Sequence, residues 1–349
     1  MSDDLDLSET ESALGGRIAS GVAHEEAPAS TAASRAFDSF TAGSTPIGKP
    51  KRASAREVFR SMPVLVKISA IWLVFVFGLA IYAKLDTSLF NGSLPLQDPN
   101  LQLNNFNAAT GEFGDTEPIA GPSAENWLGT DALARDTFAR IAHGGWVSLI
   151  IAGVSAVFGI VVGGLLGSLV GFVRGRTESA IMSLIDVILA FPALVLLLAL
   201  VAIFEVRSLT IISLVIGFLS IPAYTRVARA NSLAISNREF VLAARSIGTK
   251  PTKVLFREII PNVLPTLVSY AMVAAAFVIV VEGTLSFLGL SVQLPTSTWG
   301  NMISQSRKDI KTDVLQVLWP SLALTLTVLS LNQVGDFFQK RNAVRASSL

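Results

Sequence analysis

The most constraining feature of this chain is a run of thirty residues without a charged side chain, from Gly144 to Val173. About 20 apolar residues are enough for a helix to cross a bilayer, so this run alone is long enough. Only 15% of the chain is charged and its mean hydropathy is +0.57, whereas soluble domains carry about 25% charged residues. Because a bilayer offers the backbone no hydrogen bonds, the sequence predicts an all-α membrane protein.

Apolar runs predict six transmembrane helices, at residues 64–84, 146–171, 180–204, 209–228, 263–287 and 315–337. The first apolar run begins near residue 63, so we expect no secretory signal peptide. We expect a disordered cytoplasmic tail at 1–55, followed by the first transmembrane helix with its cytoplasmic lead-in at 56–90. An extracytoplasmic loop is expected at 91–143. A five-helix core at 144–340, which contains a cytoplasmic loop at 231–262, then leads to a cytoplasmic tail at 341–349.

The distribution of basic residues predicts the orientation of these spans. If the N-terminus is cytoplasmic, 20 of the 27 Lys and Arg residues fall on the cytoplasmic side and seven fall outside. Cytoplasmic loops of membrane proteins carry an excess of Lys and Arg. We therefore expect both termini inside the cell, which agrees with an even number of spans.

The sequence lacks the side-chain patterns of most catalytic sites. There is no cysteine, and the two histidines are His24, in the polar tail, and His143, just before a span. The sequence lacks the G-x-x-x-x-G-K-[ST] pattern with which many proteins bind ATP phosphates. We therefore expect a chain that is not an enzyme and that holds neither a metal nor a cofactor.

Small and aromatic residues in the apolar part have packing interpretations. A stripe of glycines four residues apart in the second span favours close approach of a neighbouring helix, with a translocation path as the alternative; it comprises Gly159, Gly163, Gly167 and Gly171. Four tryptophans near the predicted outer boundary are typical of an aromatic belt; they are Trp127, Trp146, Trp299 and Trp319.

A segment between the fourth and fifth spans combines apolar and basic residues in a helical pattern. The stretch from Arg238 to Gly248 predicts a short amphipathic helix followed by a glycine break. A second helix is expected to start at Pro251 and to stop before Pro261. Such a helix is too short and too charged to span, so we expect it to lie at the cytoplasmic surface and bury its apolar face in a partner.

This segment resembles the cytoplasmic coupling loop of permeases of binding-protein-dependent ABC importers. In the motif that those permeases share, an Ala-Ala pair precedes a glycine by four residues, and the glycine precedes a proline by 13. Ala243-Ala244, Gly248 and Pro261 keep that spacing. The general motif has Glu where this chain has Leu242, and Glu239 matches the acidic position of the peptide/nickel branch.

Three further segments resemble the C-type permease of the same branch, so that the resemblance covers about residues 60–340. They are Trp127–Asp136, Asp186–Pro192, and Glu282–Leu290 with its continuation through Pro295 to Trp299-Gly-Asn301. Two features depart from the usual pattern, namely the long N-terminal tail and extra length around Asn104 to Glu117.

The resemblance implies the type I ABC importer permease fold in a bacterial plasma membrane. It implies a homologous second permease subunit, two ATPase subunits that bind the ATP, and an extracytoplasmic substrate-binding protein as partners. The residues that it implies for ATPase coupling are Glu239, Phe240, Ala243, Ala244, Arg245, Gly248 and Pro261. Asp186 and Glu282 are candidates for the translocation path, with hydrogen bonding between helices, or for Glu282 the membrane interface, as the alternative.

Short peptides are the expected substrate, with nickel chelates or another small solute as the alternative. A stand-alone secondary transporter is a competing function. It predicts inverted repeats, broken spans and paired charges within the membrane, and it leaves the segment at 238–260 unexplained. An intramembrane enzyme is disfavoured because the spans contain no cysteine or histidine cluster.

Overall fold

A computed structural model describes residues 55–89, 96–103, 119–204 and 207–347. The chain divides into two compact units, residues 1–60 and 61–349. Of the first unit only the start of helix α1 (Ala55–Ser61) is described, so the predicted disordered tail lies outside the described residues. The regular elements of the described residues are all helical, as the sequence predicts.

The second unit is a bundle of long helices with shorter ones at its ends. The long helices are α2 (Val64–Leu89), α3 (Thr137–Phe158), α4 (Gly164–Val173), α5 (Arg176–Ala190), α6 (Ala193–Ala202), α7 (Leu209–Ser236), α10 (Ile260–Phe287) and α12 (Leu315–Ser347). The shorter ones are α8 (Glu239–Ser246), α9 (Pro251–Val254) and α11 (Trp299–Ser306). Among the described residues, five helical runs are long and apolar enough to span, or six when α5 and α6 are one span.

The second span begins earlier than the expected residue 146. Its helix starts at Thr137, where the side chain of Asp136 caps the first turn by accepting a hydrogen bond from the Ala139 N–H at 2.8 Å. Arg140 lies in the first turn yet is only 1% exposed, because its Nη1 donates to the Pro99 carbonyl at 3.1 Å and its Nε lies 3.4 Å from the Asp131 carboxylate.

The third span, predicted at residues 180–204, is sharply bent at Pro192. Helices α5 and α6 meet at an angle of 86°. Phe191 between them is extended (ψ 137°), since the ring of Pro192 disfavours helical geometry at the preceding residue.

The prediction that a helix stops before Pro261 was wrong. The helical run is continuous over the 37 residues from Pro251 to Phe287. A π-helical turn, Leu255–Ile259, precedes the proline. A wider turn of this kind changes which carbonyl faces the ring of a proline, so the helix continues through it.

The glycine stripe of the second span packs directly against α7. A Cβ atom built on Gly167 would lie 2.2 Å from the Thr225 carbonyl oxygen, and one on Gly171 would lie 2.6 Å from the Arg229 carbonyl oxygen. Only the absence of a side chain permits this approach of two backbones. The packing interpretation of the stripe is therefore the one that the structure supports.

The two ends of the second unit meet at one end of the bundle, which we call the inner end. Arg341 of α12 donates to Ser61 Oγ at 3.4 Å. Asn342 donates to the Pro265 carbonyl oxygen at 3.0 Å, close to where α10 begins. We call the opposite end, which carries α11 and the start of α3, the outer end. The helix α12 extends to Ser347, ten residues beyond the predicted span end.

Candidate functional site

The short helix α8 lies at the inner end and is anchored by one buried side chain. Val241 is fully buried in an apolar cluster with Tyr224 of α7 and with Val254 and Ile259 of the following helical run. The π-helical turn brings Leu255 into the same cluster. Helix α8 therefore packs against both α7 and the helical run that begins at Pro251.

Gly248 ends α8 in a way that requires a glycine. Its φ is +77°, in the left-handed region that a residue with a Cβ rarely adopts. The Thr249 N–H donates to the Ala244 carbonyl at 3.1 Å, and the Gly248 N–H donates to the Arg245 carbonyl at 2.9 Å. This pair of bonds is a Schellman motif. The chain then reverses, and Pro251 opens the next helix at its first turn.

The opposite face of α8 exposes large apolar side chains. Phe240 is 42% exposed, Leu242 is 49% exposed, and Ile247 just beyond the helix is 82% exposed. Ala243 is exposed between them. We call these four residues the α8 face. Glu239 begins the helix at its first turn, where a carboxylate favours the positive end of the helix dipole.

Two arginines connect α8 and its neighbouring turn to the end of α4. The guanidinium of Arg245 lies 4.8 Å from the centre of the Phe172 ring. Arg174 donates to the side-chain oxygen of Asn237, immediately before α8, at 3.1 Å. The seven residues predicted for ATPase coupling are thus divided. Six lie on or next to α8, whereas Pro261 lies about three turns into the helical run that begins at Pro251.

Asp186 lies on the inner half of the broken third span and pairs with α7. Its carboxylate accepts from Arg226 Nη2 at 2.6 Å, and both side chains are more than half exposed, at 59% and 53%. A second pair joins the same two helices, since Arg229 Nε donates to Glu178 at 2.7 Å. Exposed ion pairs contribute little stability, so this arrangement leaves two charges on the surface of the described chain.

Glu282 lies far from that pair, in the last turns of α10 at the outer end. Its side chain is completely buried. One carboxylate oxygen, Oε1, accepts from the hydroxyls of Ser286 at 2.7 Å, Ser291 at 2.7 Å and Thr298 at 2.8 Å. Within the described residues its other oxygen has no partner. Glu282 thereby holds the loop that follows α10 onto the helix itself.

Trp299 was expected in an aromatic belt at the membrane boundary, but its ring is buried in the bundle. It is 1% exposed. Its indole N–H donates to the Ile141 carbonyl at 3.0 Å, and its ring would lie 3.0 Å from a Cβ atom on Gly145. Thr298 and Asn301 cap α11 reciprocally. The capping residues Thr298 and Asn301 indicate a helix start at this point, but burial of the ring depends on contacts with Ile141 and Gly145 that the local sequence does not contain.

The segment Trp127–Asp136 lies beside this loop and is joined to it by hydrogen bonds. Arg135 lies 2.7 Å from the Asp131 carboxylate and donates to Gln305 of α11 at 3.1 Å. Gln316 of α12 donates to the Thr130 carbonyl at 3.0 Å. Burial raises the pKa of the Asp136 carboxyl above its usual range, although backbone N–H groups oppose the shift. Two of the sequence motifs therefore form one structural unit at the outer end.

Comparison with known proteins gives the family of a chain with this architecture. Residues 159–347 match the family described as "Binding-protein-dependent transport system inner membrane component". The glutathione transport system permease protein GsiD of Pectobacterium atrosepticum is 37% identical over 216 residues, which are 62% of this chain and 71% of the relative. The dipeptide transport system permease protein DppC of Alkalihalophilus pseudofirmus is 34% identical over 227 residues, 64% and 74% of the two chains.

A solved structure is also similar, namely the inward-facing MetNI methionine ABC transporter. It has a TM-score of 0.48 and 18% identity, over 58% of this chain and 95% of that chain. The family match and the homologous permeases confirm the predicted class, an all-α multi-pass subunit of the bacterial inner membrane. Proteins of this class associate with ATPase and substrate-binding partners. The chain belongs to the family of binding-protein-dependent transport system inner membrane components.

Proposed function

We propose that this chain forms half of the translocation pathway of an ATP-driven importer of short peptides. The observation that carries the proposal is the α8 face, an exposed apolar surface on a helix that is anchored in the bundle. Glutathione and dipeptide, the solutes in the names of the two relatives above, are both short peptides. A homologous permease subunit supplies the other half of the pathway.

The α8 face is the docking surface for an ATPase subunit, and a second ATPase subunit binds the partner permease. ATP is bound and hydrolysed in those subunits, and this chain contributes no catalytic group, metal or cofactor. Phe240, Leu242 and Ile247 fill an apolar groove of the ATPase, as an amphipathic helix does in a partner protein. Glu239 and Arg245 lie at the two ends of this contact.

The anchoring of α8 transmits motion of the ATPase to the spans. Val241 links α8 to α7 and to the helical run that begins at Pro251, and Arg245 links it to α4 through Phe172. A displacement of α8 therefore moves three transmembrane elements together. ATP shifts the equilibrium between inward-open and outward-open arrangements only because the ATPase contacts α8 differently in the two.

Asp186 and Glu282 take different parts in the pathway. The exposed pair of Asp186 with Arg226 is our candidate for a polar contact with the solute at the inner half. Glu282 is fully buried, so it does not contact the solute in this arrangement. Its part in the pathway is to fix the loop after α10. An extracytoplasmic binding protein delivers the peptide to the outer end.

The test introduces a charge into the α8 face. In a strain that depends on this transporter, Ala243→Glu is expected to abolish uptake of a labelled dipeptide and to prevent co-purification of the ATPase subunits, while the chain still accumulates in the membrane. Ala243→Ser is the matched control and keeps both activities. Normal uptake by the Ala243→Glu variant would overturn the assignment of the α8 face.

The same strain distinguishes peptides from the alternative solute class. Labelled di- and oligopeptides are compared with a nickel chelate in cells with and without the chain. Loss of nickel accumulation with unchanged peptide uptake in the deletion strain would favour the nickel-importing function.

A further inference from the structure

A cavity of about 220 Å³ opens at the outer end, between the segment around Gln97 and the start of α3. Its walls include Gln97, Glu125, Trp127, Asp136 and Phe138. The contacts that hold Glu282 and Trp299 involve other residues, so this cavity is separate from the loop after α10. Its combination of acidic groups, amide oxygen and aromatic rings indicates a specific class of ligand.

Two hydrogen-bond acceptors in this wall lack a partner among the described residues. Asp136 is 96% buried, since its relative exposure is 4%; its Oδ2 accepts from the Ala139 N–H at 2.8 Å, but its Oδ1 has no donor. Gln97 Nε2 donates to the Glu125 carbonyl oxygen at 3.3 Å. This bond fixes the orientation of the amide and leaves Oε1 as an unpaired acceptor.

Glu125 also lines the cavity, and its side chain carries a third acceptor group. Glu125 itself is exposed, so its charge is available at the mouth. A primary ammonium group carries three N–H donors and no acceptor. Asp136, Gln97 and Glu125 thus supply three acceptor groups of the kind that such a cation requires.

Aromatic rings form the remaining wall. The ring of Trp127 is 5.4 Å from the ring of Phe138, centre to centre, and Trp127 is 67% exposed. An exposed tryptophan face attracts a cation through its quadrupole, more strongly than tyrosine or phenylalanine does. A neutral alcohol of the same size would gain nothing from this face.

The charge of the surrounding sequence favours the same ligand. Between Lys84 and Arg135 the chain contains no Lys, Arg or His and seven acidic residues, of which Glu125 lines the cavity and Asp98 directly follows Gln97. Arg135 and Arg140, which flank Asp136 in sequence, both pair with the Asp131 carboxylate. A surface of one sign concentrates ligands of the other sign near it.

We propose that this cavity is a binding site for a primary ammonium group, held by Asp136, Gln97 and Glu125 against the Trp127 ring. The ammonium group belongs either to the amino terminus of a solute peptide or to a lysine side chain of a protein that docks at the outer end. The inference adds a ligand site to the proposed function and does not depend on how ATP is coupled.

The test measures binding directly, without transport. The full-length chain with its co-purifying partners is placed in lipid nanodiscs and titrated calorimetrically with n-butylammonium, with 1-butanol as the neutral probe of equal size. We expect saturable binding of the amine and none of the alcohol. Glu125→Gln and Trp127→Leu should each weaken amine binding about tenfold. Asp309→Asn removes a carboxylate at the outer end away from the cavity and should leave it unchanged.

A second titration distinguishes the two sources of the ammonium group. Binding of Ala-Ala but not of N-acetyl-Ala-Ala supports the site and assigns it to peptide amino termini, while binding of butylammonium alone supports the site and assigns it to lysine side chains. Equal binding of amine and alcohol, or unchanged amine binding in both cavity variants, would overturn the site. If the site is overturned in this way, dipeptide uptake that depends on the chain in cells would show that the proposed function stands without the site.

Discussion

At the scale of single residues, the glycines that face α7 show how much depends on a missing side chain. Gly153 and Gly167 lie in the same helical run, but a Cβ atom on Gly153 would meet nothing within 4 Å, whereas one on Gly167 would lie 2.2 Å from a carbonyl oxygen. Sequence spacing placed the stripe on one face. It could not identify the partner, because that depends on which helices become neighbours.

We expect Gly167→Ala to destabilise the bundle by about 1–3 kcal/mol, because α7 would have to move away from α4. Gly153→Ala is the matched control. It should be neutral or stabilising by up to about 1 kcal/mol, since alanine favours helix over glycine and has free space there. Thermal unfolding of the two variants in detergent measures the difference, and equal melting temperatures would contradict the close packing of α4 on α7.

Glu282 offers a second comparison between two substitutions at one position. Glu282→Gln keeps an oxygen that can accept from Ser286, Ser291 and Thr298, so we expect a small change in stability. Glu282→Leu leaves these hydroxyls without their acceptor, at a cost of about 1–3 kcal/mol for each group that stays unsatisfied. Melting temperatures decide between the two. If leucine were tolerated as well as glutamine, the loop after α10 would not depend on these bonds.

At the scale of elements, hydropathy predicted the helices well and their ends poorly. The second span was expected at residue 146, inside the run without charged residues that begins at Gly144. In the structure Arg140 lies in the helix, since Asp131 and the Pro99 carbonyl oxygen compensate its charge. Likewise, Pro261 was predicted to end a helix, because the sequence preferences of proline do not indicate that a π-helical turn precedes it and lets the helix continue. Both errors come from tertiary or non-standard contacts that sequence spacing does not contain.

The local structure around the residues predicted for ATPase coupling was predictable for the opposite reason. The amphipathic pattern of α8, its glycine stop and the proline that follows are local properties, and all three appear in the structure. By contrast, the cavity beside Trp127 joins Gln97 to Asp136 across 38 intervening residues of polar loop. No periodicity relates those positions.

The turn after α8 gives a prediction at this scale. Gly248→Ala forces a side chain into the left-handed region, at a cost of about 1–2 kcal/mol. We expect the turn between α8 and α9 to loosen, so that uptake falls while the overall melting temperature changes little. Gly175 also has a positive φ, +75°, but lies outside the α8 turn. Its alanine variant is also strained, and equal loss of uptake in both variants would contradict a special role for the α8 turn.

At the scale of the whole molecule, orientation in the membrane follows from charge and can be tested simply. The chain has no cysteine, so single cysteines serve as unique labels. With an impermeant maleimide, we expect Leu133→Cys at the outer end to react in intact cells. Ile247→Cys, next to α8, should react only after the membrane is opened. The reverse pattern would invert the topology and place α8 beyond the reach of any cytoplasmic ATPase.

The unbroken helical run from Pro251 to Phe287 has a mechanical consequence for the molecule. At about 1.5 Å per residue its 37 residues make a rod about 55 Å long. The turn beside α8 lies at one end of this run, and Glu282 with the three hydroxyl groups that it binds lies near the other. A tilt of about 5° about one tip would carry the other through roughly 5 Å by this geometry. Events at the two membrane surfaces are thus joined by a single stiff lever.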